Sequence, residues 1–293
     1  MSTSTTAREI ASQPDIWERA LRETSVGDVL GRPGERLLLL GCGTSEFVAE
    51  SLAVLRERAG LGVTDAAYAS EWQPGRPYDR VVVISRSGTT TEVGEALTRV
   101  APGTPTTAVV AVAGTPVAEA VDEALVLDFA DEESVVQTRF PTTVLALARQ
   151  SFGEDVTGLP DALRRALAAP LPVPVDGVDH VVYLGHGWTY GLAQEAALKV
   201  REAAQAWSES YPVLDYRHGP IAVAHPGSLV TILGTADPTI VADIEVTGAR
   251  VQTSEADPLV QLVQAQRFAV ALAESRGLQP DTPRHLTRSV VLS

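Results

Sequence analysis

Continuous apolar runs alternate with helical patterns along this chain, and the alternation limits the folds that are open to it. The runs at 36–41 (RLLLLG) and 80–85 (RVVVIS) are each followed by a segment of helical character, at 46–59 and 90–100. A strand that helices cover on both faces has an uninterrupted apolar run, whereas a strand with one wet face alternates apolar and polar residues. The order of these segments therefore predicts open parallel sheets flanked by helices.

The alternation continues to the middle of the chain after a helical lead-in at 1–30. Further elements are expected there: strands at 63–69, 106–113 and 124–129, and helices at 117–123, 138–152 and 160–168. The proline-rich segment at 169–177 (APLPVPVDG) interrupts the pattern and is the best candidate for a boundary. We therefore divide the chain into four parts: a lead-in (1–34), a first domain (35–170), a second domain (171–280) and a tail (281–293).

The second half of the chain repeats the first. The segment at 180–187 (HVVYLGHG) resembles that at 37–43 (LLLLGCG), because both predict a strand that ends in Gly-x-Gly and leads into a helix. The segment at 228–234 (SLVTILG) corresponds in the same way to the strand at 80–85. A last helix is expected at about 258–276. The repeat indicates a tandem duplication of one α/β unit.

Composition excludes several classes of protein. The net charge of −14 opposes binding to nucleic acid backbones and to anionic lipid, although it is compatible with a local site for a small anion. No apolar run approaches the roughly 20 residues that span a bilayer. The segment MSTSTTAREI at the start lacks the basic and apolar regions of a signal peptide. The single cysteine, Cys42, has no partner for an internal disulfide, and we expect a cytoplasmic protein.

Lys199 is the only lysine in a chain with 23 lysines and arginines. A desolvated lysine can relay protons or form a Schiff base, whereas arginine stays protonated and does neither. Glu195 and Glu202 stand four residues before and three residues after Lys199 in a helical pattern, and His218 follows in a Tyr-Arg-His-Gly-Pro loop. This set is suited to acid–base chemistry. Solvated Glu–Lys contacts and a structural histidine are the alternatives.

The loop at 85–92 (SRSGTTTE) joins a buried strand to a helix and carries five hydroxyl groups. Hydroxyls, helix N-terminal amides and the helix dipole together bind phosphate, and Arg86 can add a charge-assisted contact. The alternative is a capping box, with Thr89 as the N-cap and Glu92 three residues later. Because a cap needs a single hydroxyl, the loop predicts a phosphate site.

The segment at 41–45 (GCGTS) follows the first strand and superficially matches a dinucleotide fingerprint. Glu46 stands where that pattern has its third glycine, so no nicotinamide cofactor is expected. Cys42 is interpreted as a small apolar residue of the turn rather than as a catalytic thiol.

Taken together, these segments resemble the sugar isomerase (SIS) domain family. The likeness is greatest to its tandem-domain members, the isomerase half of glucosamine-6-phosphate synthase and the galactosamine-6-phosphate deaminase/isomerases. It extends over almost the whole chain and rests on these segments: EIASQP (9–14), GCGTS (41–45), ASEW (69–72), ISRSGTTTE (84–92), VVQTRFPTT (135–143), YLGHGWTYGLAQEAALKVRE (183–202), YRHGP (216–220) and DTPRHLTRSV (281–290).

The resemblance implies an α/β fold of two tandem flavodoxin-like SIS units, each a parallel sheet flanked by helices, and a phosphosugar ligand. It implies that Ser85, Ser87 and Thr90 bind the phosphate, with Arg86 where relatives often carry Gln. The residues expected around the sugar are Thr44, Ser45, Gln137, Glu195 and Arg288.

The resemblance also implies catalytic roles. Glu202 would be the base that moves a proton between C1 and C2, Lys199 would orient the ligand, and His218 would open the sugar ring. In synthase-like relatives this histidine comes from the neighbouring subunit, so a homodimer with shared active sites is expected.

Three departures separate the chain from the synthases. No glutaminase domain is expected before the lead-in. Arg288 stands where the synthases use a lysine for the sugar Schiff base, and arginine cannot form an imine. Gln137 and Arg139 stand where they have Ser and Lys. If an imine with the protein is needed, Lys199 is the only side-chain amine available.

The expected function is therefore a phosphosugar isomerase/deaminase that acts on an amino-sugar or ketosamine 6-phosphate, with no cofactor and no metal. The alternatives are a plain aldose–ketose phosphate isomerase and a non-catalytic phosphosugar sensor. A nucleotide-dependent kinase is disfavoured because the chain lacks a Gly-x-x-x-x-Gly-Lys loop.

Overall fold

The computed structural model describes residues 4–292, which form two compact units. The first-sheet unit comprises Asp15–Thr157 together with the tail from Thr287 onward, and the second-sheet unit comprises the described residues up to Pro14 together with Gly158–Leu286. Helix α1 (Thr5–Glu23) has residues in both units. No helix among the described residues combines the length and the apolarity that crossing a membrane requires.

The first-sheet unit holds a five-stranded parallel sheet in the order β2-β1-β3-β4-β5. Its strands are β1 (Leu37–Gly41), β2 (Thr64–Tyr68), β3 (Arg80–Ser85), β4 (Thr106–Val110) and β5 (Glu123–Val126). Its helices after α1 are α2 (Thr44–Arg58), α3 (Thr91–Thr98), α4 (Pro116–Glu119) and α5 (Arg139–Ser151). Strands β1 and β3 are buried along their whole length, as their uninterrupted apolar runs predict.

The second-sheet unit holds a four-stranded parallel sheet in the order β7-β6-β8-β9. Its strands are β6 (His180–Gly185), β7 (Trp207–Pro212), β8 (Ser228–Leu233) and β9 (Arg250–Gln252). Its helices are α6 (Leu159–Ala168), α7 (Thr189–Ala204), α8 (Pro238–Val246) and α9 (Pro258–Ser275). The first four strands of the two units have the same spatial order, so the predicted α/β fold of two tandem units is confirmed.

In both units the first strand ends in a glycine that the following helix approaches closely. A Cβ atom on Gly41 would lie 2.4 Å from the carbonyl carbon of Ser45, and one on Gly185 would lie 2.2 Å from the carbonyl oxygen of Thr189. Real Cβ contacts are never this short, so any other residue would push the helix away. This close approach explains why the strand–glycine pattern recurs in both halves.

Each strand order reverses beside its first strand, because β2 and β3 lie on opposite sides of β1, and β7 and β8 lie on opposite sides of β6. Ligands of open α/β sheets bind at such a switch point, beyond the carboxyl ends of the strands. Helices α2, α3 and α7 begin at these carboxyl ends. Most of the candidate site residues lie on these helices or in the loops directly before them.

Of the nine strands in residues 4–292, the sequence predicted all but β7 and β9. Strand β7 (WSESYP) is largely polar and β9 has three residues, so neither has an apolar run. Trp207 lies outside the helix that carries Lys199. Helix α7 ends at Ala204, Gln205 is left-handed with φ of 48°, and Trp207 begins β7 with 71% of its surface exposed.

The compact units differ from the domain limits inferred from the sequence. They divide the chain before α6 rather than at 170/171, because α6 packs on α9, where Arg267 binds the carbonyl oxygens of Ala166 and Ala169. The tail is also divided, since the residues from Thr287 onward group with the first-sheet unit. As limits of the SIS domains, the sequence-based ranges stay a prediction.

Candidate functional site

The candidate site residues form two groups, one in each unit. The first-sheet unit carries Thr44, Ser45, Ser85, Arg86, Ser87, Thr90, Gln137 and Arg288. The second-sheet unit carries Glu195, Lys199, Glu202 and His218.

The loop between β3 and α3 is a tight turn held by its own hydroxyl groups. The Ser85 hydroxyl accepts a hydrogen bond from the Gly88 amide at 3.2 Å, and the Ser87 hydroxyl accepts one from the Thr89 amide at 3.2 Å. Gly88 has φ of 65°, and a Cβ atom there would lie 2.0 Å from the Thr115 hydroxyl oxygen. The turn therefore requires glycine at this position.

Gly88→Ala is expected to lower the free energy of unfolding by roughly 1–3 kcal/mol, because alanine is strained in the left-handed region and would overlap Thr115. Urea unfolding of the full chain measures the change. Gly94→Ala in α3 is the matched control, since its added Cβ meets no atom within 4 Å and φ is not positive. The control should gain roughly 0.5–1 kcal/mol. Equal effects of the two substitutions would contradict the assignment of strain to Gly88.

Thr90 is the N-cap of α3, and its hydroxyl makes no capping hydrogen bond. The alternative capping box, with Thr89 as the cap, is therefore wrong. The amide of Gly94 binds the Thr90 carbonyl within the first turn, and the Thr90 side chain is half-buried beside the positive end of the helix dipole. This arrangement keeps a hydroxyl available for an anion at the helix start.

Arg86 lies in the interior of the first-sheet unit with 2% of its surface exposed. Its guanidinium donates to the carbonyl oxygens of Ser134 at 2.7 Å and Arg288 at 2.9 Å, and it lies 4.0 Å from the Glu132 carboxylate. The expected contact between Arg86 and phosphate is not supported by this conformation. Arg86 instead joins the loop between β3 and α3 to the tail and to the segment before α5.

The tail lies directly on the loop between β3 and α3. The Ser289 hydroxyl is 3.1 Å from that of Ser87 and 2.8 Å from that of Thr89, and the Thr91 amide donates to the Val290 carbonyl. The Arg288 guanidinium binds the carboxylate of Asp131 and the backbone before α5. Arg288 is thus positioned by an ion pair at the edge of the loop between β3 and α3, and its contact with sugar stays a prediction.

The segment before α5 is organised by the Glu132 carboxylate, which is buried and accepts hydrogen bonds from the amides of Thr138 and Arg139 and from the Thr138 hydroxyl. Gln137 lies in this turn, and its side-chain oxygen is buried without a hydrogen-bond partner among the described residues. A buried acceptor without a donor destabilises the protein unless water or a ligand supplies the donor.

Thr44 and Ser45 begin α2 at the end of β1, and each is 4% exposed. Gly43 precedes them as the N-cap, with φ of 54° and no side chain to cap the helix. The adjacent Cys42 is half-buried, and burial first, then Glu92, raises the pKa of its thiol to about 11. A thiol with this pKa stays protonated near neutral pH, in accord with its interpretation as a small apolar residue.

In the second-sheet unit, Lys199 lies between two carboxylates on α7. Its Nζ is 3.2 Å from Glu195 Oε1 and 2.6 Å from Glu202 Oε2. The side chains of Lys199 and Glu195 are 1% and 2% exposed, whereas that of Glu202 is 18% exposed. Residues three and four positions apart share a helix face, so the spacing of the three residues produces the cluster. Solvated Glu–Lys contacts are therefore excluded for this set.

The charge state of Lys199 is decided by its two carboxylate neighbours rather than by its burial. Burial favours the neutral amine, but Glu195 and Glu202 outweigh it, and the pKa of Lys199 is raised above its ordinary value. The side chain is therefore an ammonium ion near neutral pH. It can orient and stabilise negative charge, whereas a Schiff base would first require the loss of this proton.

His218 follows a 3-10 turn (Asp215–Arg217), and its amide donates to the Asp215 carbonyl at 2.9 Å. A second 3-10 turn (Pro220–Val223) begins after Gly219. The side chain is exposed. The imidazole thus lies on an irregular loop of the second-sheet unit, where it is accessible to a ligand or to a second molecule.

Glu46 had no predicted role, but the structure places its carboxyl group in a buried position. It lies in the first turn of α2 with 6% of its surface exposed, and its Oε2 has no hydrogen-bond partner among the described residues. Burial first, then the charge of Glu50, raises the pKa of Glu46 to about 7. A carboxylate in the first turn after a Gly-x-Gly segment was the only signal in the sequence, and helix dipoles make acidic residues common there.

Glu46→Gln is expected to stabilise the protein at alkaline but not at acidic pH. Between pH 4.5, the ordinary pKa of glutamate, and about pH 7, the Glu46 carboxyl is protonated in the folded chain but ionised in the unfolded chain. The free energy of unfolding therefore falls as pH rises through this range. Glutamine removes this loss, and the free energy of unfolding should rise by roughly 1–3 kcal/mol at pH 8 and little at pH 4.5. Urea unfolding at both pH values tests this, with the exposed Glu245→Gln as control. A gain that is the same at both pH values would contradict it.

No group of three or more His, Cys, Asp or Glu side chains within residues 4–292 is arranged to hold a metal ion. The candidate groups of the described residues are the hydroxyl-rich loop, the buried ammonium and its two carboxylates. They provide a hydroxyl-rich helix start in one unit and an ammonium between two carboxylates in the other.

Comparison with known proteins identifies the relatives of the chain. No family model matches it. It is similar to the glutamine–fructose-6-phosphate aminotransferases of Aeropyrum pernix (30% identical) and Pyrobaculum aerophilum (27% identical), and in each case the match covers 97% of this chain and 57% of the relative. The chain thus spans little more than half the length of these curated relatives.

Solved structures extend the comparison. A glucosamine-6-phosphate deaminase from Thermotoga maritima superimposes with a TM-score of 0.85 at 26% identity, over 99% of this chain and all of the other. A tagatose-6-phosphate ketose/aldose isomerase from Escherichia coli superimposes with a TM-score of 0.79 at 22% identity, over 96% and 95% of the two chains, and this second match supports the fold alone. The resemblance found in the sequence is confirmed.

Proposed function

We propose that this chain is a phosphosugar isomerase/deaminase that acts on an amino-sugar or ketosamine 6-phosphate. Its fold is that of two tandem SIS units, and its homologues are the isomerase half of glutamine–fructose-6-phosphate aminotransferases. The observation that carries the proposal is the buried Glu195–Lys199–Glu202 cluster on α7. Two carboxylates around one ammonium provide a base beside a fixed positive charge.

Glu202 is the proposed base because it is the cluster member with an accessible side chain. It removes a proton from C2 of the open-chain sugar and returns it to C1, or the reverse. The Lys199 ammonium orients the ligand and stabilises the negative charge that develops on the sugar oxygen. Glu195 has a different role, since its burial leaves it to balance the charge of Lys199.

The phosphate is proposed to bind the hydroxyls of Ser85, Ser87 and Thr90 at the start of α3. Three hydroxyl donors and the helix dipole suit a dianion without an arginine. The inward orientation of Arg86 is consistent with this set, because its guanidinium already has backbone and carboxylate partners.

Release of ammonia needs no imine with the protein. Moving a proton from C2 to C1 of an open-chain 2-amino sugar gives an imine within the substrate, and water hydrolyses this imine to a ketose and ammonia. The ammonium state of Lys199 and the presence of Arg288 at the tail position are compatible with such a route.

The test is ammonium release from glucosamine 6-phosphate and galactosamine 6-phosphate, with Lys199→Arg beside the wild type. Release by the wild type alone would support a deaminase/isomerase that needs lysine at this position. Interconversion of aldose and ketose 6-phosphates without ammonia would identify a plain isomerase instead. A thermal shift with the sugars but no turnover of any of them would refute the enzyme and support a phosphosugar sensor.

We also propose a cytoplasmic homodimer in which His218 opens the ring in the active site of the partner. Mixing two inactive variants, Glu202→Gln and His218→Ala, is expected to restore about a quarter of the wild-type activity, since half of the randomly exchanged dimers contain one complete site. The unmixed variants are the controls. Activity that stays at the level of the separate variants, under conditions where subunit exchange is measured directly, would place His218 in its own subunit's site.

A further inference from the structure

The second-sheet unit contains a cavity of about 200 Å³ that has no part in the proposed reaction. It lies between strands β6 and β8, helix α9, the loop after β9 and the chain segment that follows α6. Its main apolar walls are Leu171, Leu229, Ile232, Val260, Ala265 and Phe268.

Among the described residues that line the cavity there is no Asp, Glu, Lys, Arg or His, although the chain carries 60 residues of the first four types. An ionised ligand would therefore be desolvated without a counter-charge, which is strongly unfavourable. The lining glutamine with the greatest burial, Gln261, already binds the Gly234 amide and the carbonyl oxygens of Ser254 and Ala256. The cavity is thus suited to a neutral, mainly apolar molecule, in contrast to a sugar phosphate.

Tyr183 provides a polar group in this wall. It lies on β6, is 1% exposed and lines the cavity. Burial is the one cause that raises the pKa of its hydroxyl, with no neighbouring charge or hydrogen bond contributing. Buried tyrosine hydroxyls usually find a hydrogen-bond partner. A ligand acceptor in the cavity would satisfy it.

The wall formed by the segment after α6 is held at both of its ends. Arg267 donates to the carbonyl oxygens of Ala166 and Ala169, and Arg250 donates to those of Pro174 and Asp176. Between these clips the segment at 170–173 (PLPV) contributes two prolines, which restrict the backbone. The cavity is therefore preformed, and a ligand does not have to order its walls.

We propose that this cavity binds a small neutral molecule, about the size of one substituted benzene ring, whose carbonyl oxygen accepts a hydrogen bond from the Tyr183 hydroxyl. Its volume exceeds the roughly 150 Å³ of an engineered apolar cavity that binds benzene. The site is separate in chemistry from the phosphosugar site, and its occupancy does not depend on the proposed reaction.

The experiment compares acetophenone with ethylbenzene, which has nearly the same shape but no acceptor. Binding to the full chain is measured by saturation-transfer NMR and by competition between the two molecules. Acetophenone is expected to bind roughly five- to tenfold more tightly than ethylbenzene, the effect of one buried hydrogen bond. Tyr183→Phe should abolish this difference while retaining ethylbenzene binding.

Ala265→Leu is the second variant, because its longer side chain fills the cavity from α9. It should abolish binding of both molecules, and a thermal unfolding midpoint at or above that of the wild type would show that the variant is folded. Absence of binding by both molecules to the wild type would overturn the proposal. So would equal binding of the two molecules to the wild type, or acetophenone binding that neither variant changes.

Discussion

Glu202→Gln is expected to lower kcat for the sugar phosphate by roughly 10²–10⁴-fold, while the dissociation constant changes by only a few-fold. Glutamine has the shape of glutamate and keeps an oxygen for the Lys199 ammonium, but it cannot take a proton from carbon. The 2.6 Å contact between Lys199 Nζ and Glu202 Oε2 can therefore persist in the variant. A loss confined to kcat identifies a group that acts in the transition state rather than in binding.

The measurement is steady-state turnover of whichever phosphosugar the wild type converts, together with calorimetric binding of the same sugar. Glu245→Gln on the exposed surface of α8 changes the net charge equally and should leave both quantities unchanged. Full turnover by Glu202→Gln would refute the base assignment without refuting the enzyme. Absence of turnover by the wild type would refute the enzyme and leave the base assignment without a reaction to test.

Lys199→Met is expected to lower the free energy of unfolding by roughly 3–5 kcal/mol, because it leaves the buried Glu195 carboxylate without its ammonium partner. Glu195 is 2% exposed, so water cannot replace the lost charge. Removing both charges in Lys199→Met/Glu195→Gln should recover much of the loss, and the double-mutant cycle gives the coupling energy. Additive losses from the two substitutions would contradict a direct pairing.

The pH dependence of this pair has a definite sign. The pKa of Lys199 in the folded chain is raised above 10.5, its ordinary value. The pair therefore contributes fully to the free energy of unfolding below pH 10.5, and this contribution is lost only as pH rises through the higher pKa of the folded chain. Urea unfolding from pH 7 to 10 should thus show a constant difference between the wild type and Lys199→Met. A difference that shrinks across this range would indicate a neutral amine in the folded chain.

Periodicity in the sequence was sufficient for most of the fold. The runs at 37–41 and 180–185 became the central strands of two sheets with the same order, because an uninterrupted apolar run can be buried only where helices cover both faces. Strand β7 had no such run. Its residues range from buried to exposed at the edge of the second sheet, where a polar strand is stable and leaves no periodic signal.

The candidate site was predictable to the extent that it depends on local spacing. Glu195, Lys199 and Glu202 lie on one helix, and their positions in the sequence bring them together once α7 forms. Arg86 is the opposite case, because its partners at Ser134 and Arg288 are 48 and 202 residues away. Such distant contacts leave no pattern around Arg86 itself.

What the sequence determined by itself was therefore the tandem α/β architecture, the hydroxyl-rich loop at the start of α3 and the cluster on α7, since each follows from spacing within one element or one turn. Only the tertiary structure decided the ammonium state of Lys199, the inward orientation of Arg86 and the raised pKa of Glu46. These properties depend on the balance between burial and the distance to particular charges, and that balance exists only when segments far apart in the chain pack together.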